Sequence, residues 1–210
     1  MTKIAHHPDH ATLMSYAAGA LPESLSAVVS MHVAMCPKCR SEVRRMEQLG
    51  AALLSAMEKQ QVEPVAAAAL QIPAGAEAAS AAHESDDPVE RLTGSKLDDI
   101  NWKRLGFGVW HHPIPLSGDA SGDLRLIKVQ KGQAMPEHGH GGSELTLVLD
   151  GSYTDEVGTF AAGDVADLDD TIEHRPIADS ETGCICLIAS ERKARFTGVI
   201  GRLLQPLTGI

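Results

Sequence analysis

Aromatic residues make up only 3% of this 210-residue chain. Its cores therefore cannot be built on rings, and Ala, Leu, Val and Ile must supply the buried surface. Positive charge is also scarce: 18 Lys and Arg stand against 28 Asp and Glu, a net of −10. A phosphate backbone is held by clustered Lys and Arg, so this balance argues against direct nucleic-acid binding and against a DNA-binding zinc protein. No run approaches the roughly 20 apolar residues of a membrane helix. The amino-terminal MTKIAHHPDH carries no apolar signal-peptide core. A cytoplasmic protein with no membrane contact is the expectation. Cysteine is too sparse, at 4 residues, for a disulfide scaffold. In a reducing compartment those thiols are free to hold metal.

The charge that is present is uneven. Residues 1–83 hold 6 Lys/Arg and 7 Asp/Glu, a net of −1, while residues 84–210 hold 12 and 21, a net of −9. The periodicity changes along with the charge. Residues 9–59 read as three helices, the first carrying Leu13, Tyr16, Ala17 and Ala20. The second carries Leu25, Val28, Val29, His32 and Cys36 on one stripe, and Pro37 ends it and starts the third. Leu49, Leu53 and Leu54 form the third helix's apolar face. An Ala-rich stretch over 62–82, broken by Pro64 and Pro73, predicts a short or interrupted fourth helix.

The polar His83–Pro88 run is the natural boundary. Beyond it come short β-like runs, Leu124–Val129, Ser143–Leu149, Thr159–Phe160, Asp164–Leu168 and Gly183–Ala189, punctuated by Gly and Asp. Their spacing suggests an antiparallel sandwich or barrel. The expected organisation is a helical domain over 1–83, a linker over 84–96, a β-barrel over 97–198 and a tail over 199–210.

Two clusters carry chemistry. The first is His32-x3-Cys36-x2-Cys39. The i, i+4 spacing puts His32 and Cys36 on one face at a helix end. Cys36 sits at the N-cap position created by Pro37, with Cys39 one turn on, where backbone N–H groups favour thiolates. Zinc takes four tetrahedral ligands from Cys and His, so one more is required. His6, His7 and His10 are the candidates, and His7 is favoured because Pro8 fixes the chain direction after it.

The second cluster is the set Gly132, His138, His140, Glu144 and Gly151, completed by His174 downstream of Gly163-Asp164. These spacings agree together with the first cupin motif. His138 and His140 share a strand face, and Glu144 shares it too if the strand continues past a bend at Gly141-Gly142. Three imidazoles and a carboxylate suit Zn, Fe, Mn, Ni or Cu. The second cupin motif is only partly kept, with Asp169 and Thr171 where Pro and Gly are usual.

Cys184 and Cys186, at period 2, point to one strand face, either as small lining side chains or as an oxidant-sensitive pair near the metal. The His111-His112-Pro113 run reads as a turn. The acidic run Asp164–Glu173 reads as a solvated loop.

The residues His7-Pro8, Leu13, Tyr16-Ala-Ala-Gly-Ala-Leu-Pro-Glu23 and His32-x3-Cys36-x2-Cys39-Arg40 resemble the zinc-binding anti-sigma factors. With the cupin motif downstream, the whole chain is similar to the ChrR type of that family. The resemblance implies zinc at His7, His32, Cys36 and Cys39, and zinc at the cupin site, where iron or manganese is the alternative. It implies a non-enzymatic regulator that binds an extracytoplasmic-function sigma factor one to one and keeps it from RNA polymerase. The stretch near 62–82 would lie against the sigma factor. The cupin half would sense an oxidative signal such as singlet oxygen and trigger release. The competing reading is a metal-dependent cupin enzyme, dioxygenase-like, with an N-terminal zinc module for assembly.

Overall fold

The computed structural model describes residues 3–57, 85–118, 120–139, 141–192 and 195–196. The expected fourth helix near 62–82 and the tail 199–210 lie outside these residues.

Three helices open the chain: α1 (His10–Ala17), α2 (Glu23–Met35) and α3 (Pro37–Ala56). Each boundary has a local cause. The Asp9 side chain caps α1 by accepting from the Thr12 amide at 2.6 Å. Cys36, in extended geometry, ends α2 and caps α3, with Pro37 in the first turn of α3. α2 is apolar nearly all round and buries Leu25, Val28, Val29, Met31 and His32. α3 buries only Cys39 and Val43. Its apolar face is largely uncovered among the described residues, with Leu49 and Leu53 each 61% and Leu54 72% exposed.

The stretch 84–96, expected to be a linker, carries a fourth short helix, α4 (Pro88–Thr93), capped by Asp87 and closed by Gly94 at φ +74. Val89 on it is buried and joins the core beneath α2.

The β half has a main antiparallel sheet in the order β1 (Lys103–Gly106), β2 (Val109–Pro113), β3 (Asp123–Val129), β10 (Cys184–Ser190), β5 (Glu144–Thr154), β6 (Thr159–Ala161). β7 (Val165–Leu168) and β9 (Ile177–Ala178) also pair with β5. A small second sheet joins β11 (Arg195–Phe196), β4 (His138–Gly139) and β8 (Glu173–His174). The fold is thus a cupin-like jelly roll of two sheets rather than one closed barrel. His111–Pro113, expected as a turn, belongs to strand β2. The acidic run is a solvated loop only in its second half, because Asp164 and the apolar residues of β7 are buried.

Period-2 alternation divides the sheet between two cores. Leu124 and Leu126 on β3, Leu145 and Leu147 on β5, and Leu187 and Ala189 on β10 face outward and pack with Leu25, Val28 and Val29 of α2 in one cluster. Ile127, Val129, Val148, Cys184 and Cys186 face inward with Tyr153 and Phe160. Both faces of the central strands are therefore buried, one by the jelly roll itself and one by the helical half. Among the described residues no helix is long and apolar enough to cross a membrane.

Candidate metal centres

The first cluster forms where the α2–α3 corner meets the amino-terminal segment. The turn at Cys36-Pro37 swings Cys36 and Cys39 toward His32, and residues 4–9 cross this corner and bring in His7. His7 Nδ1 lies 3.4 Å from His32 Nε2, 3.6 Å from Cys36 Sγ and 3.4 Å from Cys39 Sγ. His32 Nε2 lies 3.3 Å from Cys39 Sγ. A tetrahedral zinc with Zn–N of about 2.0–2.1 Å and Zn–S of about 2.3 Å needs neighbouring donors roughly 3.3–3.8 Å apart. The four residues fit the ion in donor type and in spacing.

The alternatives to His7 point elsewhere. The His6 ring faces Asp164, with Nδ1 3.3 Å from Oδ2, and packs on Phe160. His10 is exposed at the start of α1 and is not among the clustered donors.

Electrostatics prepare the site for a cation. Burial pushes the His32 ring down to about 4, so it is neutral at physiological pH. Its Nδ1 donates to the Gly163 carbonyl at 2.9 Å, which leaves the Nε2 lone pair turned to the cluster. His7 is also held below its ordinary value, by burial and then by Lys38. Burial, with Cys36 alongside, pushes the Cys39 thiol up to about 12. Two adjacent thiolates are stable here only with positive charge between them.

The second cluster lies at the wall of a cavity of about 90 Å³ inside the jelly roll, among Arg125, Met135, Tyr153, Pro176 and the two inward-facing cysteines. His138 and His174 are register partners across β4 and β8, with ring centroids 4.7 Å apart. Glu144 reaches them from the start of β5, so it comes from a different strand rather than from a continuation of β4. The three residues present donor atoms within 4.8 Å of one another. His140 lies outside the described residues.

The outer nitrogens of both rings are engaged. His138 Nδ1 donates to the Pro136 carbonyl at 2.9 Å, and His174 Nδ1 donates to Asp155 Oδ2 at 2.7 Å. Each ring thus turns Nε2 inward, the arrangement in which an imidazole serves as a ligand. Burial alone would raise the Asp155 carboxyl, but hydrogen bonds from His174 and from the amides of Gly158 and Val157 hold it below the ordinary carboxylate value.

Cys184 and Cys186 do share one face: their sulfurs are 3.3 Å apart and line the cavity. The buried Tyr153 hydroxyl has no hydrogen-bond partner among the described residues. Burial, reinforced by Cys186 and Asp155, raises its pKa, so it stays a neutral phenol.

Sequence reading missed Asp155, Tyr153 and the contacts of the Gly163-Asp164 turn. No local pattern marks Asp155 or Tyr153, because their links to the site cross the fold: Asp155 meets His174 19 residues on, and Tyr153 faces Cys186 from another strand.

The domain family described as ChrR cupin-like matches residues 90–194, and a zinc-finger family matches residues 10–40. The anti-sigma-E factor ChrR of Cereibacter sphaeroides is 37% identical over 209 residues, covering 97% of each chain. The chain belongs to the ChrR family. The crystal structure of Rhodobacter sphaeroides SigE in complex with the anti-sigma ChrR contains a chain that matches with a TM-score of 0.73 and 35% identity, over 90% of this chain and 99% of that one. The matched region spans both the helices and the jelly roll.

Proposed function

We propose that this protein is an anti-sigma factor: it binds an extracytoplasmic-function sigma factor one to one and keeps it from RNA polymerase. Family membership over 97% of the chain carries this reading. The exposed row Leu49, Leu53 and Leu54 on α3, with Met57 just past its end, supports it, because an apolar strip of this size on a charged helix suits a partner surface. The inhibitory part is the helical half within 1–83. Its zinc, held by His7, His32, Cys36 and Cys39, fixes the α2–α3 corner and hence the direction of α3. Zinc, with iron or manganese as the alternative, is held in the jelly roll by His138, His140, Glu144 and His174. That half receives the signal, oxidative in character such as singlet oxygen, and the protein works in the cytoplasm as a regulator rather than as an enzyme.

Co-expression with its cognate sigma factor tests the reading. A stable one-to-one complex on size exclusion is expected, and no complex would overturn it. Metal counting separates it from the enzyme alternative. Two zincs per chain support the regulator, whereas stoichiometric iron with O₂ consumption supports a dioxygenase.

A further inference from the structure

The cluster at His7, His32, Cys36 and Cys39 is not built from the helical half alone. Asp164, on the turn between β6 and β7, is 4% exposed and collects four contacts. Its Oδ1 accepts from the amides of Ala5 at 2.6 Å and His6 at 2.9 Å. Its Oδ2 accepts from the Ala161 amide at 3.0 Å and faces His6 Nδ1 at 3.3 Å. The next residue, Val165, donates its amide to the His6 carbonyl at 3.2 Å. Beyond His7, the Asp9 amide donates to Asp167 Oδ2 at 3.0 Å. The chain on both sides of His7 is therefore tied to the jelly roll.

The other imidazole is tied to the same turn, through His32 Nδ1 on the Gly163 carbonyl. Gly163 has φ +96, and a Cβ there would come within 2.7 Å of the Ile4 side chain, so only glycine lets the amino-terminal segment lie this close.

We infer that the Gly163–Asp164 turn is a positioning clamp for the first metal site, through which the jelly roll holds both histidine ligands while the helical half supplies both cysteines. The inference rests on the ligand set proposed above. Asp164 touches no metal. It acts through the backbone on either side of His7, and Gly163 acts through the His32 tautomer. Metal occupancy and docking of residues 4–9 on the jelly roll are then linked, and each strengthens the other. Disturbing the β6–β7 turn would loosen the zinc without touching a ligand, and stripping the zinc would loosen the turn.

Cobalt titration of the full chain reads this directly, because thiolate-to-cobalt charge-transfer bands report a site with cysteine ligands. The bands are assigned to the first site by their loss in Cys36→Ser/Cys39→Ser. Asp164→Ala is expected to weaken cobalt binding there by about 10- to 100-fold, the usual effect of losing a group behind the ligands, with the band positions unchanged. Asp164→Asn, which keeps one acceptor oxygen, should fall between.

Glu23→Ala removes a different polar contact between the halves, where Glu23 accepts from the Ser117 amide at 3.0 Å and hydroxyl at 2.5 Å, and it should leave cobalt affinity unchanged. Unchanged affinity in Asp164→Ala overturns the clamp, and so does an equal loss in Glu23→Ala. A wild-type chain without Cys36/Cys39-dependent bands overturns the ligand set itself, and the clamp with it.

Amide exchange on the unmutated protein adds a test that no folding defect can confuse. Stripping the metal should speed exchange at Val165, and unchanged protection there refutes the link.

Discussion

Replacing Val28 by alanine should lower the stability of the helical half and the jelly roll together. Val28 is fully buried on α2, in the cluster that also holds Leu126, Leu145 and Leu187 of the sheet. The substitution removes two methyl groups, worth roughly 0.8 kcal/mol each in transfer. The void left behind cannot fully close, because a helix and a sheet meet there, so the total reaches about 2–3 kcal/mol. At about 2–4 °C per kcal/mol for a chain of this size, Tm should fall by roughly 4–12 °C.

The assay follows two signals on one sample. Trp102 and Trp110, the only two tryptophans, report the β half. The thiolate–metal absorption of a cobalt-loaded chain reports the helical half. Both transitions should coincide in the wild type and move together in Val28→Ala. Leu53→Ala, on the exposed side of α3, should shift neither by more than the roughly 0.5 kcal/mol of an ordinary surface change. Two separate transitions, or a Val28→Ala effect confined to the helical signal, would refute the shared core as a source of cooperativity.

Cys39 is protonated at neutral pH without metal, so metal uptake must release its proton, and the apparent affinity of the first site should rise about tenfold per pH unit between pH 6 and 8 from this thiol alone. A pH-independent affinity, or no proton release to an indicator dye, would contradict the buried-thiol argument. Asp155→Asn replaces the acceptor behind His174 and should weaken metal at the second site by about 10- to 100-fold without loss from the first, measured by metal analysis after chelator dialysis. Leu53→Glu places a charge in the exposed apolar row and should weaken the sigma-factor complex by more than about tenfold, as loss of a central apolar anchor does, with Tm unchanged. Full binding by that variant would move the partner surface away from α3. Residues 1–83 expressed alone, once shown to be folded and zinc-loaded without the jelly roll, should still inhibit transcription, and a folded, zinc-loaded but inert fragment would refute the placement of inhibition in the helical half.

The helix and strand periods and the punctuation between them were readable along the chain. α1, α2 and α3 lie close to where apolar spacing, Pro22 and Pro37 put them, and the five β-like runs became β3, β5, β6, β7 and β10. Local rules sufficed there because each element is decided by its own residues. They misjudged places where a partner distant in sequence decides. The His111–Pro113 run is a strand because β3 pairs with it. Asp164 is buried because the amino-terminal segment arrives from 158 and 159 residues away with two amides to satisfy. Leu49, Leu53 and Leu54 have helical spacing whether or not anything covers them, so pattern alone could not tell a core face from a partner face.

The metal sites divide in the same way. By itself the sequence determined the donor types and most positions of the proposed ligands, because coordination chemistry restricts both residue identity and short-range spacing: His32, Cys36 and Cys39 across one helix corner, and His138 and Glu144 close along the chain. Only the tertiary structure decided that His7, rather than His6 or His10, stands 3.4 Å from His32 and Cys39. It also decided which groups stand behind the candidate donors, with Asp155 on His174 and the Gly163 carbonyl on His32. These choices depend on how α2 and residues 4–9 settle on the outer face of the sheet. That docking combines non-directional apolar burial beneath α2 with hydrogen bonds from residues 5–9 to Asp164 and Asp167, between partners so far apart in sequence that no short-range pattern records them.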